Sequence, residues 1–231
     1  MRGLRHKVNE VSDLLAQENL DMLFLTETLF SAEAGDGELR IDGYSFLRRG
    51  RGRQGGGVGI YFREELSVFS AHVPNTPSSV KLELLFVELD LRNVKLLMGC
   101  LYRPPSATVE YWDLLEETLE AVLSSNKEHR LFLTGDFNVD ILDNAHPQSR
   151  HLEYFQSFFN LKNYVDAPTR YAETRNSCID LVMTEEDNSD GQSVIASCTP
   201  KPTLAQTDHE LVRTTLSVGV DNPAGTNRQK L

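Results

Sequence analysis

Strand-like segments outnumber helical ones along this chain, and most of them arrive in adjacent pairs with no helix between them. That pattern predicts a largely antiparallel α+β arrangement rather than a strictly alternating β-α-β sheet. Composition is the third observation. Of the 231 residues 40% are hydrophobic, and the 15 glycines bring the apolar share to roughly 46%, the ordinary value for a globular protein. A chain of this length buries enough surface to fold without disulfides or a structural metal. Residues 1–220 are expected to form one folded unit and 221–231 a frayed tail.

The elements follow in order. Leu4, Val8, Val11, Leu14 and Leu15 recur at helical spacing and run into Asn19, which predicts an amphipathic helix ending there. Strands are expected at Met22 to Leu25, Gly57 to Phe62, Leu82 to Leu89, Val94 to Tyr102 and Leu131 to Leu133, each short, apolar or alternating, and bounded by turn residues or charges. Trp112, Leu115, Leu119, Val122 and Leu123 line one face of a helix that opens after Ser106 to Thr108, and Leu152, Phe155, Phe158 and Phe159 predict another. Final strands are expected at Ile179 to Met183, around Val194 to Ala196, and at Leu211 to Val218. The polar stretches Asp140 to Arg150 and Glu185 to Gln192 read as surface loops.

Several function classes are excluded early. No apolar run approaches the ~18 residues a membrane helix requires, and none follows the basic residues near Met1, so neither a membrane helix nor a secretory signal is expected. Cys100, Cys178 and Cys198 are too widely spaced for a disulfide framework or a paired-ligand zinc site, which favours a reducing, intracellular setting. The formal charge is −11, from 23 Lys and Arg against 34 Asp and Glu. Any contact with a polyanion must therefore be local rather than driven by a global positive field.

The residues able to carry chemistry share one placement: the ends of apolar strands, where a sheet delivers side chains to its rim. They are Glu27, Tyr102, Asp136, Asn138, Asp180, and the pair Asp208 and His209. Singly, each has an ordinary explanation as a turn residue, an exposed acid or a half-buried aromatic. Together, four carboxylates, a histidine, an amide and a phenol suit a hard divalent cation bound through oxygen, an activated water and a stabilised phosphate. Zinc suits them less well, because the set contains one histidine and Cys178 is the nearest thiol.

The order and wording of these motifs resemble the endonuclease/exonuclease/phosphatase superfamily, in particular the apurinic-type endonuclease domain of non-LTR (LINE-like) retrotransposons. The match is carried by Thr26-Glu27-Thr28, Gly55-Gly56-Gly57-Val58-Gly59, Tyr102-Arg103-Pro104-Pro105, Gly135-Asp136-Phe137-Asn138, Pro168-Thr169-Arg170, Ser177-Cys178-Ile179-Asp180 and Thr207-Asp208-His209. It runs from the start of the chain to about Val218, and Tyr-Arg-Pro-Pro points to the retrotransposon branch. The resemblance implies a four-layered α/β sandwich, two mixed sheets flanked by helices. It implies that Glu27 holds Mg2+, or Mn2+ in its place, with Asp208 contributing to the same ion. His209, oriented by Asp180, would serve as base or charge stabiliser, and Asp136 would position or deprotonate the attacking water. Asn138 would hold Asp136 in register, Tyr102 would bond the phosphate, and Ser177 and Arg103 would contact it. The implied reaction is in-line hydrolysis of a DNA phosphodiester that leaves a 3′ hydroxyl able to prime reverse transcription, in a nuclear protein.

Two departures from the family are visible. In the family an opening strand carries an Asn two residues before the Arg of a motif ending Arg-Gly-Leu. Here Arg2-Gly3-Leu4 follows Met1 directly, so that first strand is expected to be missing and its neighbour's edge uncovered. Asn9 is no substitute, since it falls inside the first predicted helix. No polymerase domain is expected after the last motif, which suits an isolated domain, a fragment or a host-derived gene. Two alternatives to an active DNA endonuclease are a catalytically impaired remnant that keeps DNA or partner binding, and the same fold acting on RNA or another phosphoester. Among lesser features, Gly55 to Gly57 reads as a tight hairpin entry. The basic run with Arg48, Arg49, Arg51 and Arg53 reads either as a DNA-backbone grip, through Arg51 and Arg53 above all, or as a solvated loop. Trp112 reads as core and Glu116, Glu117 and Glu120 as the wet face of their helix.

Overall fold

The computed structural model describes residues 7–29, 36–50, 56–71, 82–91, 94–143, 145–185, 193–203 and 207–217. Arg51, Arg53, Gly55, the Arg2-Gly3-Leu4 motif, most of the 185–192 loop and the 221–231 tail lie outside them. Helix α1 spans Val8–Gln17, and β1 (Met22–Thr26) follows it. A 3-10 turn at Asp36–Leu39 precedes β2 (Tyr44–Arg49), β3 (Val58–Arg63) and β4 (Val68–Ala71). Then come β5 (Glu83–Leu91), β6 (Val94–Tyr102), α2 (Glu110–Ser125), β7 (His129–Asp136) and α3 (Ser149–Phe158). The chain continues through β8 (Leu161–Asn163), β9 (Arg170–Tyr171), β10 (Asn176–Ser177), β11 (Asp180–Glu185), β12 (Ile195–Lys201) and β13 (Leu211–Leu216).

A six-stranded sheet in the order β4-β5-β6-β7-β11-β8 is the backbone of the molecule. Its pairs are antiparallel except β6–β7, which is parallel because α2 carries the chain back across the sheet between them. A three-stranded antiparallel sheet, β1-β3-β2, faces it, and β12 with β13 forms a separate antiparallel pair. Alternation sorts the faces. Val58, Ile60 and Phe62 of β3 join the core shared with the six-stranded sheet, whereas Tyr61 packs with Leu23 and Leu25 beneath Val11, Leu14 and Leu15 of α1. On the opposite side Trp112, Leu115 and Leu119 of α2 and Phe155 of α3 complete that larger core. Four layers result, helix, sheet, sheet and helices, as the family resemblance implied. Among the described residues no helix is long and apolar enough to cross a membrane.

The expected helices and strands all form, with ends moved by a few residues. Five strands went unread in the sequence. β2 is half-buried at every position and ends in two arginines, so it shows no alternation, and β4, β8, β9 and β10 are only two to four residues long. The stretch from Asp140 to Arg150 is not wholly a surface loop. Asp140 is 7% exposed, and its Oδ1 accepts the N–H groups of Leu142 (3.1 Å) and Cys178 (2.9 Å), while α3 begins at Ser149. Trp112 is in the core at 1% exposure, with its indole N–H donated to Gln148 (2.9 Å).

β1 pairs only with β3, and β13 only with β12, among the described residues. A cavity of about 200 Å3 separates these two edges, floored by Met98 and Phe132 of the six-stranded sheet. The inward residues of β1, Met22 and Phe24, are consequently less buried than Leu23 and Leu25, which face α1.

Candidate active site

Register builds the site. Glu83 of β5 lies opposite Tyr102 of β6, Tyr102 opposite Asp136 of β7, and Asp136 opposite Asp180 of β11. Residues in register share a face of the sheet, so these four side chains form one transverse row at a single rim, on the face turned towards β1. The loops leaving that rim are laced together. The Arg103 N–H donates to the Asp136 carbonyl (2.8 Å), Asn138 Nδ2 to the Arg103 carbonyl (2.8 Å), and the Phe137 N–H to the Ile179 carbonyl (2.9 Å). Gly135 permits the approach: it sits at φ +139°, and a Cβ there would lie 1.9 Å from the Leu101 carbonyl oxygen.

β1 delivers Glu27 to the same rim from the facing sheet. The Tyr102 hydroxyl donates to Glu27 Oε1 at 2.7 Å, a side-chain bond from one sheet to the strand end of the other. Glu27 and Leu29 both hold the left-handed backbone (φ +51°), as does Asn138 (φ +49°). Non-glycine residues in that conformation concentrate where structure over-determines them, often at functional sites.

His209 arrives from the segment before β13. An isolated bridge pairs it with Arg170, the Glu210 N–H donates to the Thr169 carbonyl (2.7 Å), and the Tyr171 N–H donates to the Asp208 carbonyl (2.8 Å). Its Nδ1 lies 2.8 Å from Asp180 Oδ2. This contact fixes the ring's orientation and leaves Nε2 to face the cavity side. Thr169, fully buried, accepts the N–H groups of Ile179 (3.2 Å) and Asp180 (3.0 Å) on its hydroxyl and so holds Asp180 in turn. Within the Pro168-Thr169-Arg170 motif, this threonine clamp leaves no trace in the periodicity of the sequence.

Electrostatics sharpen the picture. Asp136 is 3% exposed, and burial, then the nearby Asp180 charge, push its carboxyl up to about 7, against the opposing pull of His209 and of the Asn138 N–H on Oδ1 (2.9 Å). For His209, burial favours the neutral ring, but the Asp180 hydrogen bond and the charges of Asp180, Asp136 and Asp208 outweigh it and raise the imidazole above its usual range. Tyr102 is held protonated by burial and then by Glu27.

The structure brings together Glu27, Asp136, Asp180 and His209 at one end of the cavity between β1 and β13, with Tyr102 joined to them through Glu27. Donor atoms of Asp136, Asp180 and His209 lie within 4.8 Å of one another, a grouping able to hold a metal ion. It differs from the expected grouping of Glu27 with Asp208, since Asp208 instead pairs with Arg170 Nε at 2.7 Å. The single proton of Tyr102 goes to Glu27 rather than standing ready for phosphate. Ser177 is half-buried on β10, opposite Arg170. Arg103 departs most from expectation. At 1% exposure it is enclosed, donating to the Ala107 carbonyl (2.7 Å) with its guanidinium carbon 5.3 Å from the Trp112 ring centroid, so it buttresses the rim from within instead of meeting substrate. Arg49 of the basic run is likewise spent inward, its Nη1 donating to the Leu84 carbonyl (3.3 Å).

The model of the Endonuclease/Exonuclease/phosphatase family matches residues 1–219. No curated protein sequence matches the chain. Among solved structures, the endonuclease domain of TRAS1, a telomere-specific non-LTR retrotransposon, superposes with a TM-score of 0.66 at 15% identity over 87% of each chain. The 3′ phosphatase NExo from Neisseria, bound to product DNA hairpin, gives 0.70 at 15% identity over 93% of this chain and 96% of its own. An AP endonuclease from Archaeoglobus fulgidus gives 0.68 at 16% identity over 94% and 96%. At such identities the superpositions speak for the fold.

Proposed function

The chain belongs to the endonuclease/exonuclease/phosphatase family, and from that membership we propose that it is a divalent-metal-dependent DNA endonuclease. It hydrolyses a phosphodiester to leave a 3′ hydroxyl, the product that target-primed reverse transcription of a non-LTR retrotransposon uses. The observation that carries this reading is the His209–Asp180 pair set beside a buried Asp136 at one sheet rim. Tyr-Arg-Pro-Pro at 102–105 and the likeness to the TRAS1 endonuclease domain support the retrotransposon branch.

Glu27, Asp136 and Asp180 line one end of the cavity with carboxylate oxygens, the donor type that suits Mg2+ or Mn2+. Glu27 would hold the ion, with Asp208 contributing once Arg170 turns to the substrate. A bound cation would supply charge neutralisation for the phosphate and its leaving oxygen. The remaining work belongs to the chain. Tyr102 orients Glu27 through their hydrogen bond. Asp136, poised near neutrality, accepts the proton of the attacking water, and the Asn138 N–H fixes its carboxylate. His209, anchored at Nδ1, donates from Nε2 to the charge that develops on phosphate.

Nicking of supercoiled plasmid in Mg2+ tests the reading. The wild-type chain should nick, and His209→Ala should lower the rate by about 10²–10⁴-fold with DNA binding retained. Release of inorganic phosphate or mononucleotides in place of nicks would move the activity to another phosphoester. Equal rates in wild type and variant would remove His209 from the chemistry.

A further inference from the structure

Glu83 takes no part in the roles above, yet it occupies the catalytic row. It opens β5 opposite Tyr102 and is 2% exposed. Its Oε2 accepts the backbone N–H of Gly57. Gly56, at φ +79°, passes so close that a Cβ there would lie 2.1 Å from the same oxygen, so the glycine turn is wrapped directly on the carboxylate. Only glycine tolerates both the approach and the positive φ.

What that turn holds in its other direction is the end of β1. The Gly57 carbonyl accepts the Thr28 N–H (3.2 Å) and the Gly56 carbonyl accepts the Leu29 N–H (2.8 Å). Thr28 and Leu29 are the two residues after Glu27, and the left-handed backbone at Glu27 and Leu29 brackets the segment. A strained conformation of this kind persists only where its surroundings impose it, and the Gly56–Gly57 carbonyls impose it here. The contacts close a circuit: Glu83 to the glycine turn, the turn to Thr28 and Leu29, Glu27 to the Tyr102 hydroxyl, and Tyr102 back beside Glu83 across the β5–β6 pair.

We propose that Glu83 is a positioning residue for Glu27: its buried carboxylate fixes the Gly56–Gly57 turn, and the turn fixes the backbone from which Glu27 presents its own carboxylate. The consequence for cation binding rests on the reading of Glu27 as the metal-holding residue. Burial lowers the half-buried Arg49 guanidinium from its ordinary value, and the nearby Glu83 charge acts against that. Removing Glu83 leaves the Gly57 N–H without its acceptor and releases the turn, and with it Glu27.

The test uses the full chain as wild type, Glu83→Gln, Glu83→Asp and Glu83→Ala, with three readouts: Mn2+ affinity from water-proton relaxation, amide hydrogen exchange at Thr28 and Leu29, and the thermal midpoint. Supporting groups around a metal ligand typically govern affinity by about 10-fold or more. Glu83→Ala should therefore bind Mn2+ about 10-fold more weakly and exchange Thr28 and Leu29 at least 10-fold faster, with the amides of α1 unchanged. Glu83→Gln should recover most of both, because its amide oxygen still accepts from Gly57. Glu83→Asp, whose carboxylate is drawn back by one methylene, should fall between and serves if the alanine variant does not fold. Folded variants with wild-type exchange at Thr28 and Leu29 overturn the proposal. So does faster exchange with Mn2+ affinity within twofold of wild type, which makes Glu83 a fold element only. If the wild-type chain binds no Mn2+, the metal reading of Glu27 fails by itself, and the exchange rates alone decide whether Glu83 orders the segment.

Discussion

Asp136 is where the proposed chemistry and the stability of the fold meet. Its carboxyl is pushed up to about 7 by burial and by Asp180, whereas in an unfolded chain it titrates near 3.9. The folded state therefore holds this proton more tightly. The associated stabilisation is complete below about pH 4 and is lost as the pH rises through about 7. Asp136→Asn, which keeps the shape and cannot ionise, should match wild type in thermal midpoint near pH 4 and exceed it by several degrees above pH 7, while nicking is abolished. An equal midpoint at pH 8 would mean that Asp136 is ionised without cost in the fold. Arg103 makes the opposite case. Arg103→Ala should destabilise by about 2–4 kcal/mol, through lost packing on Trp112 and an abandoned Ala107 carbonyl. The affinity of the folded fraction for DNA should be unchanged, as titration with a fluorescent duplex would show. At this scale the sequence exposed Glu27, Asp136, Asp180 and His209, because polar residues at the ends of apolar runs stand out. It concealed the inward turn of Arg103, and also Thr169 and Glu83, whose meaning lies in bonds to backbone atoms distant along the chain.

Among elements, the β6–β7 pair decides the site, since its parallel register sets Tyr102 beside Asp136. Gly135 is the contact point of the two strands. Gly135→Ala should cost over about 3 kcal/mol, as its Cβ would strike backbone that no rotamer change can clear. Urea unfolding midpoints check this, and a change below 1 kcal/mol would show that the strands part easily. The glycine of Gly-Asp-Phe-Asn is thus an architectural requirement written inside a chemical motif. Long apolar strands such as β5 and β6 were legible from their runs of buried side chains. β2 was not, because an edge strand half-buried at every position carries no alternation to read. β9 and β10 are two residues each, shorter than any period, yet it is against β9 that His209 is set.

For the whole molecule, the two-layered sheet arrangement follows from which faces are apolar, but the seam between β1 and β13 does not. Inward-facing Met22 and Phe24 read as ordinary core residues in sequence, and only the assembled layers show them bordering a cavity. Amides on the edges of β1 and β13 that face this seam lack ladder partners among the described residues. They should exchange with solvent orders of magnitude faster than those of β6, which is paired on both sides. Uniform protection across β1 and β6 in solution would mean that the seam is closed there.

The bond from Tyr102 to Glu27 joins a residue of one sheet to a residue at the end of the other. Its length is therefore a caliper reading of the core's thickness. A methyl group added or removed between the layers, far from any reacting atom, would change how wide the jaws stand. Since a misplacement of about 1 Å can cost 10²-fold in rate, substitutions at Ile60 or Val87, which face each other's sheets across this core, would tune the chemistry from the packing beneath it where they leave the fold intact.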